Sequence, residues 1–513
     1  MGTHVTATET TTEPAAAAPP ARRASTLTVV AAAVVLVALV APLWAELHKV
    51  GAPQEEGFML ALPYRALHGD VANRDFVWLY GPASIWVPAA AYAVFGTSVL
   101  VARLLGFGFE IATVAAIFLL GLRWSRETAT AAGLVAVLFV ATKGPTPLPW
   151  TAALPVMLLA IVFGARALEQ TGTRQARAAF ACGAFAGLAT VFRLDVAFGM
   201  IAVAAIFAWP LAARLRRIEL AGFVAGLLPW LAHLATAGPS AVFRGLVLDP
   251  LHLRNGNKVP VPPDPHRING FIESFINIAI PKWPFPRPSA AAQLTWWFFL
   301  IVFAIVMTFA VAIWTIRRRR SPRAWILLAL AAMSVGLVPS MLQRDDAAHL
   351  NNMGAVVFPA AIFALTEVVG AGAGATRSRV LRHGAVGLAA LVVVGALTAT
   401  WTAAAYVDDV RVSLHRRAPG SVKLTHRGRD FYFPASAVPG VRAMLDTVER
   451  VSHPGDRLLV GPTDLRRTPY IDSVVYYLLP QLPPATRFVY MNPATALHDY
   501  RELADDVASA DVL

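Results

Sequence analysis

The chain has 513 residues, of which 57% are hydrophobic and only 15% charged, with a mean hydropathy of +0.56. Soluble domains carry about 25% charged residues, so a wholly soluble protein is excluded and repeated membrane spans are expected. The net charge of +13 does not point to nucleic acid, because much of the arginine excess sits in short clusters between apolar runs, as in cytoplasmic loops; the single cysteine, Cys182, excludes an internal disulfide and a cysteine-rich metal site.

Residues 1–26, "MGTHVTATETTTEPAAAAPPARRAST", are rich in Thr, Ala and Pro and read as a disordered tail. Arg22 and Arg23 then precede "LTVVAAAVVLVALVAPLWAEL". This run is too long, and the tail before it too long, for a cleaved signal peptide to be the better reading, so it is taken as a first span with its N-terminus in the cytoplasm. The segment 81–98, "GPASIWVPAAAYAVFGTS", holds Pro82, Pro88 and Gly96. Read as an interfacial helix rather than a span, it makes 99–121 the second span and places Arg123 and Arg126 inside.

Further spans are expected at about 128–143, 149–168, 178–192, 196–212, 218–236, 294–316, 324–341, 353–370 and 384–405. Every basic cluster between spans, "RQAR" (174–177) and "RRRRSPR" (317–323) among them, then faces the cytoplasm. The expected fold is an all-α polytopic membrane bundle of about eleven transmembrane helices. Interfacial helices lie in its first external loop, and a small external C-terminal α/β domain follows. The expected boundaries are a cytoplasmic tail at 1–26, a membrane domain at 27–405 and the external domain at 406–513. In that last part the charges are nearly balanced. "DRLLVGP" and "TRFVYMNP" read as short strands, and "PGVRAMLDTVERV" and "DYRELADDVASA" as amphipathic helices. The closing "ADVL" reads as a strand cut short, as in an incomplete chain.

Under this topology the external ends of the spans carry Glu55, Glu56, Asp75, Arg193, Asp195, Arg344, Asp345, Asp346 and His349, from separate turns. Ionisable groups near the membrane are costly and mark functional sites. Glu55–Glu56 has two readings, a solvated helix start, where acids suit the N-terminus, and a general base beside the bilayer, with a neighbouring acid to raise its pKa. "VFRLDV" offers either a local ion pair of Arg193 with Asp195 or a phosphate-binding arginine beside an acid for sugar hydroxyls. In "LQRDDAAHL", Arg344 and His349 have the chemistry to donate to a phosphate, with Asp345 and Asp346 orienting them or meeting sugar hydroxyls. An Asp/His set can also bind a divalent metal ion, but the spacing matches no metal motif, so no metal site is assigned. The Pro-rich loop 238–293, with Lys258, Arg267, Lys282 and Arg287, reads either as a connector or as a lid that attracts an anionic donor. Tyr470, Tyr476 and Tyr477 read as core packing or as sugar-stacking rings. No Walker-type loop and no strand-bound GxGxxG is present, which argues against direct use of a nucleotide-activated donor.

The stretch "EEGFMLALPYRALHGDVANRDFVWLYGPASIWVPAAAYAVFGTSVLVARLLG" (55–106) resembles the GT-C superfamily of polytopic glycosyltransferases, in the manner of protein O-mannosyltransferases and aminoarabinose transferases. It shares with them an acidic pair just after the first span, a "DF…GP" segment, an interfacial helix ending in "FG" and an arginine in the next span, here Arg103. This chain has Glu-Glu where the family more often has Asp-Glu. The resemblance implies an inverting hexosyl or pentosyl transfer from a polyprenyl-phosphate sugar to a glycan, lipid or protein acceptor of the cell envelope. Transfer would occur outside the cytoplasmic membrane, with Glu55 as base, Glu56 beside it, and Arg344 and His349 at the phosphate. The competing reading is a lipid or glycan transporter or flippase. Transporters, however, place polar groups and broken helices at mid-membrane and often have two related halves, and neither feature is evident here.

Overall fold

Long runs of Ala, Leu, Val, Ile and Phe with few charges close their own backbone hydrogen bonds as helices, the form an isolated segment must take in hydrocarbon. In the computed structural model the described apolar runs do so. The structure describes residues 25–256, 290–343, 347–372, 401–462, 471–489 and 500–512, together with Gly387, Asp464 and Ala496. In chain order the helices are α1 (Thr26–Val40), α2 (Leu43–His48), α3 (Glu55–Leu67), α4 (Ala83–Phe95), α5 (Val99–Gly121), α6 (Arg126–Ala141), α7 (Pro149–Glu169), α8 (Gly172–Phe192), α9 (Ala197–Ala208), α10 (Ala213–Ala237), α11 (Pro239–Phe243) and α12 (Asp249–Gly256). They continue with α13 (Ala290–Arg318), α14 (Pro322–Gln343), α15 (Ala347–Gly372) and α16 (Trp401–His415). The hairpin β1 (Ser421–His426) and β2 (Arg429–Pro434) follows, then α17 (Val438–Val451), α18 (Val474–Leu478) and α19 (Tyr500–Ala508).

Among the described residues, eight helical stretches are long and apolar enough to cross a membrane: Thr26–His48, Val99–Gly121, Pro149–Glu169, Gly172–Phe192, Ala213–Ala237, Trp297–Arg318, Pro322–Pro339 and His349–Gly370. These match eight of the eleven spans expected from sequence. The stretches expected at 128–143 and 196–212 are the shorter helices α6 and α9, roughly 24 and 18 Å long at 1.5 Å per residue. The last expected span, 384–405, lies largely outside the described residues. Helix α4, roughly 20 Å long, is too short to cross a bilayer core of about 30 Å, and its Val94 and Phe95 are exposed.

Close packing in the bundle relies on small residues, as membrane helices require. Along α8 and α10, Gly183 and Gly187 face Gly222 and Gly226, and a Cβ at any of the four would meet the partner helix's backbone. One core runs through α5 to α9 and α13 to α15. A second joins α3 and α4 to the hairpin and to α17 and α18, so the C-terminal part caps one end of the bundle. Three backbone hydrogen bonds fasten this cap, Gly51 N–H to Tyr432 O, Val474 N–H to Pro53 O and Val77 N–H to Arg487 O, each at 2.9 Å.

The small sheet is not where the sequence placed it. Its two antiparallel strands pair Ser421 with Pro434 through His426 with Arg429. Arg427 and Gly428 both turn at positive φ, as a two-residue hairpin loop requires. "DRLLVGP" makes only isolated bridges, from Leu458 to Pro484 and Val512, and the described part of "TRFVYMNP" is no strand. The prolines at 462, 483 and 484 lack the N–H that a continued ladder needs. The amphipathic helices expected at either side are present as α17 and α19.

Candidate active site at the capped end of the bundle

Helix α3 begins at the acidic pair, and successive helical positions send the two carboxylates in different directions. Glu55 is half-buried at the edge of the site, whereas Glu56 is 1% exposed. The Glu56 oxygens accept from Nε and Nη2 of Arg103 at 2.7 and 2.8 Å, a two-point fork. Arg103 Nη1 donates to the carbonyls of Glu46, Leu47 and Lys49 at 3.3, 2.8 and 3.1 Å. The Tyr432 ring lies 5.2 Å from the guanidinium. Glu56 therefore binds the end of α2 and the start of α3 to α5, and its charge is consumed locally. Glu55 is left as the carboxylate nearer the surface.

Asp75 accepts from Arg74 Nη2 at 2.8 Å and from the Val71 N–H at 2.7 Å, closing the loop after α3. The hydrogen bond from Arg74 holds the Asp75 carboxyl below the usual aspartate range. This geometry gives Asp75 local partners.

Arg193 is 3% exposed at the turn between α8 and α9, and its Nε and Nη2 donate to Asp195 at 2.9 and 2.6 Å. Its guanidinium lies 4.8 Å from the Tyr80 ring centroid and 3.6 Å from that of Trp150. Nη1 of Arg193 and Nε1 of Trp150 are buried with no hydrogen-bond partner. The Gly81 N–H donates to Phe192 O at 3.0 Å, and a Cβ at Gly81 would run into the Val191 carbonyl. The "LYGP" and "VFRLDV" stretches, far apart in sequence, are thus in contact, with glycine required at the crossing.

Arg344, Asp345 and Asp346 lie outside the described residues, as do Lys258, Arg267, Lys282, Arg287 and Tyr470. His349 is half-buried near the start of α15. One helical turn away on the same helix, Asn352 accepts from Lys143 Nζ at 2.8 Å. Tyr476 and Tyr477 are buried core residues of the cap.

Sequence reasoning missed the segment that links these parts, "KGPTPLPW" (143–150) between α6 and α7. Lys143 reaches Asn352. Gly144 lies against Glu46 and Lys49, which pair at 2.6 Å beside Arg103. Trp150 lies under Arg193. Glu110 is buried within Coulomb reach of both Lys143 and Lys49, with one carboxylate oxygen unpartnered. A lysine between two apolar runs was the visible signal, but its partners come from helices remote in sequence. Among the described residues no three His, Cys, Asp or Glu side chains lie together in a way that could hold a metal ion.

No family model matches the chain, and no curated protein matches it. Among solved structures it is similar to ArnT from Cupriavidus metallidurans bound to undecaprenyl phosphate. The identity is 14%, the TM-score 0.51, and the match covers 94% of this chain and 89% of that one. It also matches ArnT from the same organism in the apo state, at 14% identity and a TM-score of 0.49, over 92% and 88% of the two chains. The correspondence runs through the bundle and its cap, and the fold expected from the GT-C resemblance is the fold found.

Proposed function

We propose that the protein transfers a sugar from a polyprenyl-phosphate donor to a cell-envelope acceptor at the outer face of the cytoplasmic membrane, with the capped end of the bundle outside. The observation that carries this reading is the 143–150 segment. It touches the Arg193 turn, Asn352 of α15 one helical turn from His349, and the Glu46–Lys49 pair, whose Lys49 carbonyl accepts from Arg103. Polar groups from three remote parts of the chain thus share one neighbour, in a fold shared with a protein crystallised with undecaprenyl phosphate.

In the proposed reaction an acceptor hydroxyl oxygen forms a bond to the anomeric carbon while the bond from that carbon to the phosphate oxygen breaks. The electron pair leaves with the lipid phosphate, the hydroxyl proton passes to Glu55, and attack opposite the leaving group inverts the centre. Arg193, with Arg344 and His349, stabilises the departing phosphate, and fixed donors of this kind supply the largest share of catalysis in such sites. Asp195, Asp345 and Asp346 serve the sugar hydroxyls, and Asp75 holds the loop that carries Tyr80 to Arg193. A positioned general base contributes about 10²–10⁴-fold, so Glu55→Gln is expected to lower transfer by at least about 10²-fold. The assay supplies membranes with a panel of labelled undecaprenyl-phosphate hexoses and pentoses; undiminished transfer by the variant removes Glu55 as base. Label that crosses proteoliposomes without becoming covalently attached to an acceptor instead marks a transporter.

A further inference from the structure

The loop between α3 and α4 carries Tyr80 and Gly81 to the Arg193 turn, and its only regular pairing is a bridge from Ala72 to Phe76. Asn73 organises it. The residue is buried at φ +68°, in the left-handed region that asparagine tolerates because its short amide bonds to nearby backbone. Its N–H donates to Phe76 O at 2.9 Å, and its Nδ2 donates to Trp78 O. The Trp78 carbonyl can only accept, which orients the amide and turns Oδ1 toward His233 of α10. Oδ1 can only accept in its turn, so His233 Nε2 donates to it, at 2.9 Å. The His233 ring is itself held, 5.9 Å from the Trp86 ring and 6.1 Å from that of Trp230. Two further contacts fasten the same loop. Arg74 Nη1 donates to Thr236 O at 3.1 Å, and a Cβ at Gly245, just beyond α10, would run into Asn73 Nδ2.

From Asn73 a continuous series of contacts leads to Arg193. Trp78, whose carbonyl Asn73 holds, donates from Nε1 to Ser84 Oγ at 3.0 Å, and Ser84 Oγ donates to Gly81 O at 2.6 Å. The Trp78 ring meets the Tyr80 ring edge to face, with centroids 5.3 Å apart. Gly81 N–H then donates to Phe192 O, and the Tyr80 ring lies against the Arg193 guanidinium. Asn73, Trp78, Ser84 and His233 are all buried, so the protein and not solvent sets these geometries. A loop that had only to close could do so with the Ala72–Phe76 bridge. The Asn73 amide instead ties α10 to the residues that meet Arg193.

We infer that Asn73 is a positioning residue for sugar transfer: held from α10 by His233, it places Tyr80 and Gly81 against Arg193 and so fixes that guanidinium for the donor phosphate. The link to transfer rests on the phosphate role proposed for Arg193 above. The test uses the full-length protein in phospholipid nanodiscs. Asn73→Gly removes the amide, while glycine keeps the left-handed backbone without strain. It is expected to raise KM for the polyprenyl-phosphate sugar about tenfold, equivalent to about 1.4 kcal/mol of donor binding, with kcat nearly unchanged. His233→Leu, which leaves the loop's own sequence intact, should do the same. His233→Gln, whose amide can still donate to Asn73 Oδ1, should keep the parental KM. Asn73→Gly combined with His233→Leu should be no worse than either alone, because both cut one connection. Placement is read apart from the reaction by the fluorine NMR resonance of fluorotyrosine incorporated at position 80. That resonance should shift in Asn73→Gly and His233→Leu and stay in place in His233→Gln. A parental KM in the first two variants, additive effects in their combination, kcat and thermal midpoint falling in step with donor binding, or an unmoved resonance overturns the inference. A moved resonance in a protein that transfers no sugar from any polyprenyl-phosphate donor upholds the placement and overturns the sugar transfer.

Discussion

At the scale of single residues, adjacency in sequence conceals a division of labour. Glu55 and Glu56 are neighbours, yet one is half-buried and the other is enclosed with Arg103. Removing one partner of a buried pair leaves an uncompensated charge, at about 3–5 kcal/mol. Glu56→Gln is therefore expected to lower stability by about that amount, read as a fall in the thermal midpoint of the detergent-purified protein. Glu56→Leu combined with Arg103→Met should recover only part of the loss, because the carbonyls of Glu46, Leu47 and Lys49 also lose their donor. A midpoint unchanged in Glu56→Gln counts against the pair as the anchor of α3. Asp75 gives a prediction in pH. Its folded-state pKa is depressed by Arg74, so the stability it lends the 70–80 loop is present above the ordinary aspartate value. That stability is lost as pH falls through the depressed one. Protease nicking of the loop should rise in that acid window and become insensitive to acid in Asp75→Asn.

At the scale of elements, the site depends on how closely two turns approach. Gly81 sits against the carbonyl of Val191, and that contact sets Tyr80 beside Arg193. Gly81→Ala inserts a methyl where no space exists, an overpacking cost of about 1–3 kcal/mol. If Arg193 holds the donor phosphate, as proposed, Gly81→Ala should raise KM for the polyprenyl-phosphate donor more than it lowers kcat; equal activity of variant and parent removes the crossing from the site. The helices themselves were legible in the sequence because a run such as "LTVVAAAVVLVALV" has one solution in lipid. That α4 would be too short to span was legible too, from its prolines and limited length. The hairpin at 421–434 was not, since its strands carry a mixed pattern, "SVKLTH" and "RDFYFP", with weak alternation. Its pairing depends on a turn with two residues at positive φ, one of them an arginine.

At the scale of the whole molecule, the C-terminal part is a lid built onto the first loop. Phe431, Phe433 and Leu445 share a core with Phe58, Met59 and Leu62 of α3, and Gly57 lets α18 approach that helix's backbone. If this end lies outside, as proposed, protease added to intact spheroplasts should cut within 406–513 and spare an N-terminal tag until the membrane is permeabilised. The reverse pattern inverts the topology and with it the placement of the reaction.

Composition and apolar run length by themselves determined the membrane bundle, most of its spans and the short helix α4 between the first two, because burying a backbone in hydrocarbon permits so few conformations. The order of acids, "GP" turn and arginine was enough to anticipate the fold that the chain shares with the ArnT structure. The tertiary structure alone decided which of two adjacent glutamates is consumed in an ion pair. It alone decided that "LYGP" lies on "VFRLDV", and that the unremarked segment 143–150 connects the polar turns. Those outcomes depend on contacts between segments remote in sequence, such as Glu56 with Arg103, Tyr80 with Arg193 and Lys143 with Asn352. No local pattern records them, because each partner is compatible with its own stretch of chain whether or not the other is present.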